Sequence, residues 1–190
     1  MGTPRVDDPW RDLSFLRATF HDRHGPLAAF RRIVRGQRTG LGAHSLGGVW
    51  AQQALLADAH FTVAALLATV PIARDGGFPG PRHSTLVIGG TADELLPYDP
   101  YSVDLFTALP APTFLLKVVE GTHSGFTDVD ASLSPAALAR QQEIVRRYVT
   151  ALFLSTLAGR HQAARYLTPV DAQDFGDDLA LTARRHDPPR

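Results

Sequence analysis

The chain has 190 residues, 44% of them hydrophobic and 20% charged, which suits one globular domain with a core of its own. Lys+Arg and Asp+Glu balance at 19 each, so no charge excess points to nucleic acid or an anionic membrane surface. The absence of cysteine excludes disulfides, thiolate catalysis and thiolate metal sites, and no apolar run reaches the roughly 18 residues of a membrane helix.

Met1 to Asp8 contains no signal-peptide core, so as written the chain reads as cytoplasmic; a start further upstream would leave secretion open. Asp8-Pro9 has the form of a helix cap followed by proline at the first helical position, with Leu13, Leu16 and Phe20 then at helical spacing. Leu27, Phe30, Ile33 and Val34 form a second short amphipathic piece ended by Gly36.

Thr39-Gly-Leu-Gly-Ala-His44 is a short strand that breaks at Ser45, and Leu46 opens a helix through Leu55 and Leu56 to about Ala59. Ser45 therefore sits on a tight strand-to-helix hinge, where small residues at Ala43 and Gly47 let the two backbones approach and the first N–H groups of the helix face the serine. Phe61 to Val70 is apolar almost throughout and fits a strand buried on both faces.

Residues 71–83 form a Gly/Pro-rich loop just long enough for a parallel crossover; its default reading is a solvated loop, and contact with a substrate through Arg74 and Asp75 is the alternative. A strand at Ser84 to Gly89, a helix at Tyr101 to Leu109 and a fourth strand at Thr113 to Val119 follow. Ser134-Pro135 caps a long helix with Leu138, Val145, Tyr148, Val149, Leu152 and Phe153 on one stripe. Residues 161–190 turn polar and read as a partly irregular C-terminal tail of a single domain spanning 1–190. Strands alternating with helices argue for an α/β fold with a parallel sheet of about four strands, crossover helices on one face and the helix from Ser134 on the other.

Three chemically apt residues fall just past strand ends, where α/β sheets build their sites: Ser45, then Asp93 in Gly-Gly-Thr-Ala-Asp-Glu-Leu-Leu-Pro97, then His123 in Gly-Thr-His-Ser-Gly-Phe126. A serine hydroxyl needs an imidazole to take its proton and a carboxylate to hold that imidazole in one tautomer. Glu94 and Asp99 compete with Asp93 for the acid role, and the position after Gly-Thr-Ala favours Asp93. His21, His24, His60, His83, His161 and His186 lack a strand-end context and read as solvated, and no pair of histidines has metal-ligand spacing on one element, so no metal is expected. Trp50 reads as core, with a substrate platform as the alternative, and Thr91 and Thr122 as supports of their turns.

Ala-His-Ser-Leu-Gly-Gly, Gly-Gly-Thr-Ala-Asp and Gly-Thr-His-Ser-Gly-Phe, in this order, resemble the nucleophile elbow, acid loop and histidine loop of the α/β-hydrolase family. The resemblance runs from about Leu13 to Leu167 and is nearest to the dienelactone-hydrolase-like carboxylesterases, the branch with chlorophyllase, platelet-activating-factor acetylhydrolase and bacterial polyester hydrolases. It implies Ser45 as nucleophile, Asp93 as orienting acid and His123 as general base. Leu46 N–H would be an oxyanion donor, and His44 and Phe126 pocket or packing residues. The implied substrate is a small-molecule carboxylic ester, with no cofactor.

The chain departs from that pattern in two places. Ala43 stands where the elbow's first glycine is usual, and the residues before Ser45 read as helix and loop where the family has several strands. The expected fold is thus N-terminally truncated, with the Ser45 strand at a sheet edge open to self-association or a partner. The loop supplying the second oxyanion donor would be missing, at a cost on the order of 10²- to 10³-fold in rate. The rival reading is an impaired hydrolase remnant that serves as a binding module.

Overall fold

The computed structural model describes residues 8–32, 34, 38–72, 78, 83–128 and 130–185. Five strands form one sheet in chain order: β1 (Thr39–His44), β2 (Phe61–Leu67), β3 (Ser84–Gly90), β4 (Thr113–Val118) and β5 (Leu179–Arg184). The first four are parallel, and β5 runs antiparallel to β4, from Thr113 opposite Arg184 to Val118 opposite Leu179. Five α-helices accompany them: α1 (Pro9–His21), α2 (Leu46–Ala57), α3 (Val103–Ala108), α4 (Pro135–Thr156) and α5 (Pro169–Gln173). The fold is α/β.

The unbroken apolar run of β2 is explained by two covered faces. Val63, Ala65 and Leu67 join Leu86, Ile88 and Leu116 in a core under Ile144, Tyr148, Ala151 and Leu152 of α4. Ala64 and Leu66 join Val87 and Leu115 in a second core under Ala51, Ala54 and Leu55 of α2 and Leu105 of α3. Phe61 breaks the alternation and shares the α2 face, because the pairing with β1 steps from Phe61 to Val63 and leaves Thr62 as the extra residue of a bulge. The crossover helices thus share one face and α4 covers the other, the arrangement that strands added in one direction dictate.

Local signals for the helices hold with adjustments. Ser134 Oγ accepts from Ala137 N at 3.2 Å and caps α4. Asp8 precedes α1 without a side-chain cap, its carboxylate lying 3.1 Å from Arg11 instead. Of the α1 stripe, Leu13 reaches the second core beside Trp10, which the stripe did not include, whereas Leu16 is exposed and Phe20 meets Phe30 edge to face.

The sheet has five strands where about four were expected, and the tail expected to be partly irregular is largely regular over the described residues 161–185. A 3₁₀ segment at His161–Tyr166, then α5 and β5, fold back onto α4 and β4. Leu167, Ala172, Phe175, Leu179 and Leu181 are buried anchors, with Leu179 and Leu181 alternating with exposed neighbours on an edge strand. Arg147 of α4 pairs bidentately with Asp171, which also accepts from Tyr148 Oη at 3.0 Å. Arg184 of β5 donates to the Phe106, Thr107 and Leu109 carbonyls and so caps the C-terminal end of α3. Sparse anchors in a polar segment carry little periodic signal, and only the tertiary pairing shows that they suffice. Among the described residues β1 is one edge of the sheet and β5 the other, and no helix is long and apolar enough to cross a membrane.

Candidate active site

The carboxyl ends of β1, β3 and β4 bring Ser45, Asp93 and His123 into one hydrogen-bonded row. Ser45 Oγ lies 3.0 Å from His123 Nε2, and His123 Nδ1 lies 2.8 Å from Asp93 Oδ2. The acceptor-only carboxylate requires the proton on Nδ1, which leaves Nε2 bare to accept from the serine hydroxyl. Burial is graded along the row: the Asp93 side chain is 0% exposed and that of His123 12%. Asp93 is satisfied there by Leu95 N at 3.0 Å and Leu96 N at 2.8 Å on Oδ1, with the imidazole on Oδ2. Glu94 and Asp99 are exposed, and of the three acids Asp93 is the one hydrogen-bonded to His123.

The hinge at Ser45 is strained. Its φ of 55° and ψ of −129° lie in a region that non-glycine residues rarely occupy, at a cost of about 1–3 kcal/mol. Ser45 N donates to Leu67 O at 3.0 Å and Gly48 N to Ser45 O at 2.9 Å, holding the turn between β2 and the first turn of α2. Leu46 is the first residue of α2, so its N–H has no carbonyl four residues back within the helix and faces the serine end. Ala68 (φ 44°) and Glu120 (φ 56°), also at the ends of parallel strands, are the other non-glycine residues with positive φ among the described residues.

Which glycine is indispensable differs from the expectation. A Cβ on Gly47 would lie 4.0 Å from Ala43 Cβ, an ordinary contact, so alanine at 43 fits this elbow. The close approach is at Gly48, where a Cβ would collide with the Thr69 side chain at the end of β2.

The histidine loop is held by residues that local sequence patterns do not mark. Buried Gln141 of α4 accepts from Thr122 N at 3.2 Å and donates to Thr122 O at 3.0 Å, gripping both backbone groups of the residue before His123. Thr122 Oγ1 donates to Asp130 and accepts from Gly125 N at 3.1 Å, and hydrogen bonds from Ser132, then Thr122, hold the Asp130 carboxyl below the usual range. The helical stripe named Leu138 and Val145 but passed over Gln141, which sits with Ile144 and Tyr148 on the buried line of α4.

His44, the last residue of β1, points to the α4 face. Its Nε2 is 3.1 Å from the His123 carbonyl oxygen, and its ring lies 4.7 Å from that of His123 and 6.2 Å from that of Phe126. Burial, then the neighbouring His123, lowers its proton affinity below that of an ordinary histidine, against hydrogen bonding to the His123 backbone and attraction to Asp93. Phe126 is half-buried against the α4 core and abuts His44, so it packs and borders the site at once.

The remaining expectations divide. His83, expected to be solvated, is buried at 9% exposure beside β3; burial lowers its proton affinity, and hydrogen bonding to the Leu55 and Phe61 backbone only partly offsets this. Trp50 is half-buried and outside both cores. Thr91 and Thr122 support turns, Thr91 Oγ1 accepting from Glu120 N at 2.9 Å. Ile33, Gly36, Arg74, Asp75 and His186 lie outside the described residues. Among the described residues no group of three or more His, Asp or Glu side chains is arranged to hold a metal ion. No protein-family model matches the chain, and no curated protein matches it.

Proposed function

We propose that the chain is a serine hydrolase of the α/β-hydrolase family that cleaves carboxylic esters through an acyl-serine. The observation that carries this reading is the continuous row from Ser45 Oγ to His123 to buried Asp93, at 3.0 and 2.8 Å, with the serine on a strained strand-to-helix hinge. Such a row has the two functions that a neutral serine lacks: a base within proton-transfer reach and a fixed tautomer for that base.

The reaction follows from the atoms present. Ser45 Oγ attacks the ester carbonyl carbon as its proton passes to His123 Nε2, and the imidazolium is stabilised by Asp93. The carbonyl oxygen gains negative charge and is met by the Leu46 N–H at the start of α2. The carbon–oxygen bond to the alcohol breaks as His123 returns the proton to the leaving oxygen. Water then gives a proton to His123 and attacks the acyl carbon, and the bond to Ser45 Oγ breaks as His123 returns that proton to the serine oxygen, releasing the acid. Leu46 and Leu95, 60% and 70% exposed and adjoining the triad in sequence, offer apolar surface for the hydrocarbon part of an ester. No cofactor enters the scheme.

The test compares the protein with Ser45→Ala on p-nitrophenyl acetate and on a fluorophosphonate probe. Ser45-dependent turnover with stoichiometric labelling at Ser45 is expected; a folded protein that neither labels nor outpaces Ser45→Ala would leave the binding-module reading in its place.

A further inference from the structure

We infer that His44 is a positioning residue for the general base, its Nε2–H donated to the main-chain carbonyl of His123 so that nucleophile and base are tied together through their backbones. The inference rests on the hydrolase reading above and names a part of that site.

The donor assignment follows from the partner. A carbonyl oxygen only accepts, so at 3.1 Å the hydrogen lies on His44 Nε2 and the neutral ring keeps Nδ1 bare. That tautomer also denies His44 the role of base, since its Nε2 is committed and Ser45 Oγ faces His123 Nε2.

The geometry then assigns the bond a distinct task. The Asp93 contact holds the His123 ring from its far side and sets its rotation and tautomer. It does not set the height of the loop that carries the ring. Gln141 grips that loop at Thr122, but from α4, an element that does not carry the serine. His44 is on β1, one residue before Ser45, and its backbone pairs with Leu67 of β2. A hydrogen bond from this side chain to His123 O therefore links the two reacting side chains across two backbone positions. The tilted ring contacts, 4.7 Å to His123 and 6.2 Å to Phe126, limit sideways motion of the same loop. The titratable groups that face His44 are His123 and Asp93, and a neutral donor suits a place beside a base that becomes cationic during the reaction.

The experiment uses the full chain and three substitutions chosen for reach. His44→Gln places an amide N–H where Nε2 lies, His44→Asn places it only as far as Nδ1, and His44→Phe keeps the ring without a donor. We measure the rate of Ser45 labelling by a fluorophosphonate, kcat and KM on p-nitrophenyl acetate, and the histidine ring signals by nitrogen-15 NMR.

Expected are an Nε2–H tautomer for His44, labelling and kcat within about 3-fold of the parent for His44→Gln, and losses of about 10- to 100-fold in kcat with little change in KM for His44→Asn and His44→Phe. Equal labelling by the parent and His44→Phe, a fall in His44→Gln as deep as in His44→Phe, or an Nδ1–H tautomer in the parent would each overturn the assignment. The NMR result stands even if a variant fails to fold. A parent chain inert at Ser45 would overturn the hydrolase reading itself, and the role of His44 with it.

Discussion

Gly90 and Gly121 meet backbone to backbone where β3 and β4 end, so closely that a Cβ on Gly90 would overlap the Gly121 carbonyl group. Ala92 N donates to Gly121 O at 2.9 Å and Thr91 N to Val118 O at 3.0 Å, closing the same seam. The acid loop and the histidine loop both leave from it, and the 2.8 Å bond between Asp93 and His123 joins the two loops.

Gly90→Ala is therefore expected to destabilise the fold by about 1–3 kcal/mol, the usual cost of overpacking. It should also weaken Ser45 labelling by displacing His123. Urea denaturation reads the first effect; a change within roughly 0.5 kcal/mol, the range of neutral substitutions, would show that the seam yields.

Asp93→Asn keeps the volume of the acid but lets its amide hydrogen-bond to the imidazole in the wrong tautomer. A fall in kcat on the order of 10³- to 10⁴-fold is expected, with folding intact. Glu94→Gln and Asp99→Asn, on exposed acids, should leave kcat near that of the parent. An equal fall in either of these would assign the acid elsewhere.

Gln141→Leu removes both bonds to the Thr122 backbone and leaves that N–H and carbonyl in a half-buried place without partners. The expected cost is about 1–3 kcal/mol in stability. Gln141→Glu can still accept from Thr122 N but cannot donate to Thr122 O, so its melting temperature should fall between the two. A melting temperature for Gln141→Leu equal to that of the parent would remove the clamp from the account.

His83 supplies a pH dependence whose sign follows from its burial. Its affinity for a proton is lowered in the folded chain, so below the ordinary histidine value of about 6.5 the unfolded chain binds a proton that the folded one resists. Stability contributed by neutral His83 is thus fully present above about pH 6.5 and is lost as the pH falls toward the lowered folded value. His44, also lowered, acts in the same direction. The melting temperature should drop between about pH 7.5 and pH 5.5, and drop less in His83→Gln. An unchanged slope in that variant would place the acid sensitivity in other groups. Asp58, which burial would raise but hydrogen bonds from the His60 backbone and ring hold down to about 2, loses its contribution only at far lower pH.

Local pattern determined the parts. The break in the apolar run at Ser45, the capped start of α4 at Ser134 and the three strand ends carrying Ser45, Asp93 and His123 were legible because each depends on neighbours within a few residues. The face assignment of α2 and α4 followed from strand order and the doubly apolar β2.

Only the tertiary structure decided what brings the parts into register. The bond from Asp93 to His123, the grip of Gln141 on Thr122, the bond from His44 to His123, the collision sites at Gly48 and Gly90, and the docking of β5 onto β4 are contacts between residues far apart in the chain. A polar residue on a helix, or a leucine in a polar tail, looks the same in sequence whether it meets solvent or a distant backbone. Its role is set by what the folded chain places opposite it, which residue type and spacing do not encode.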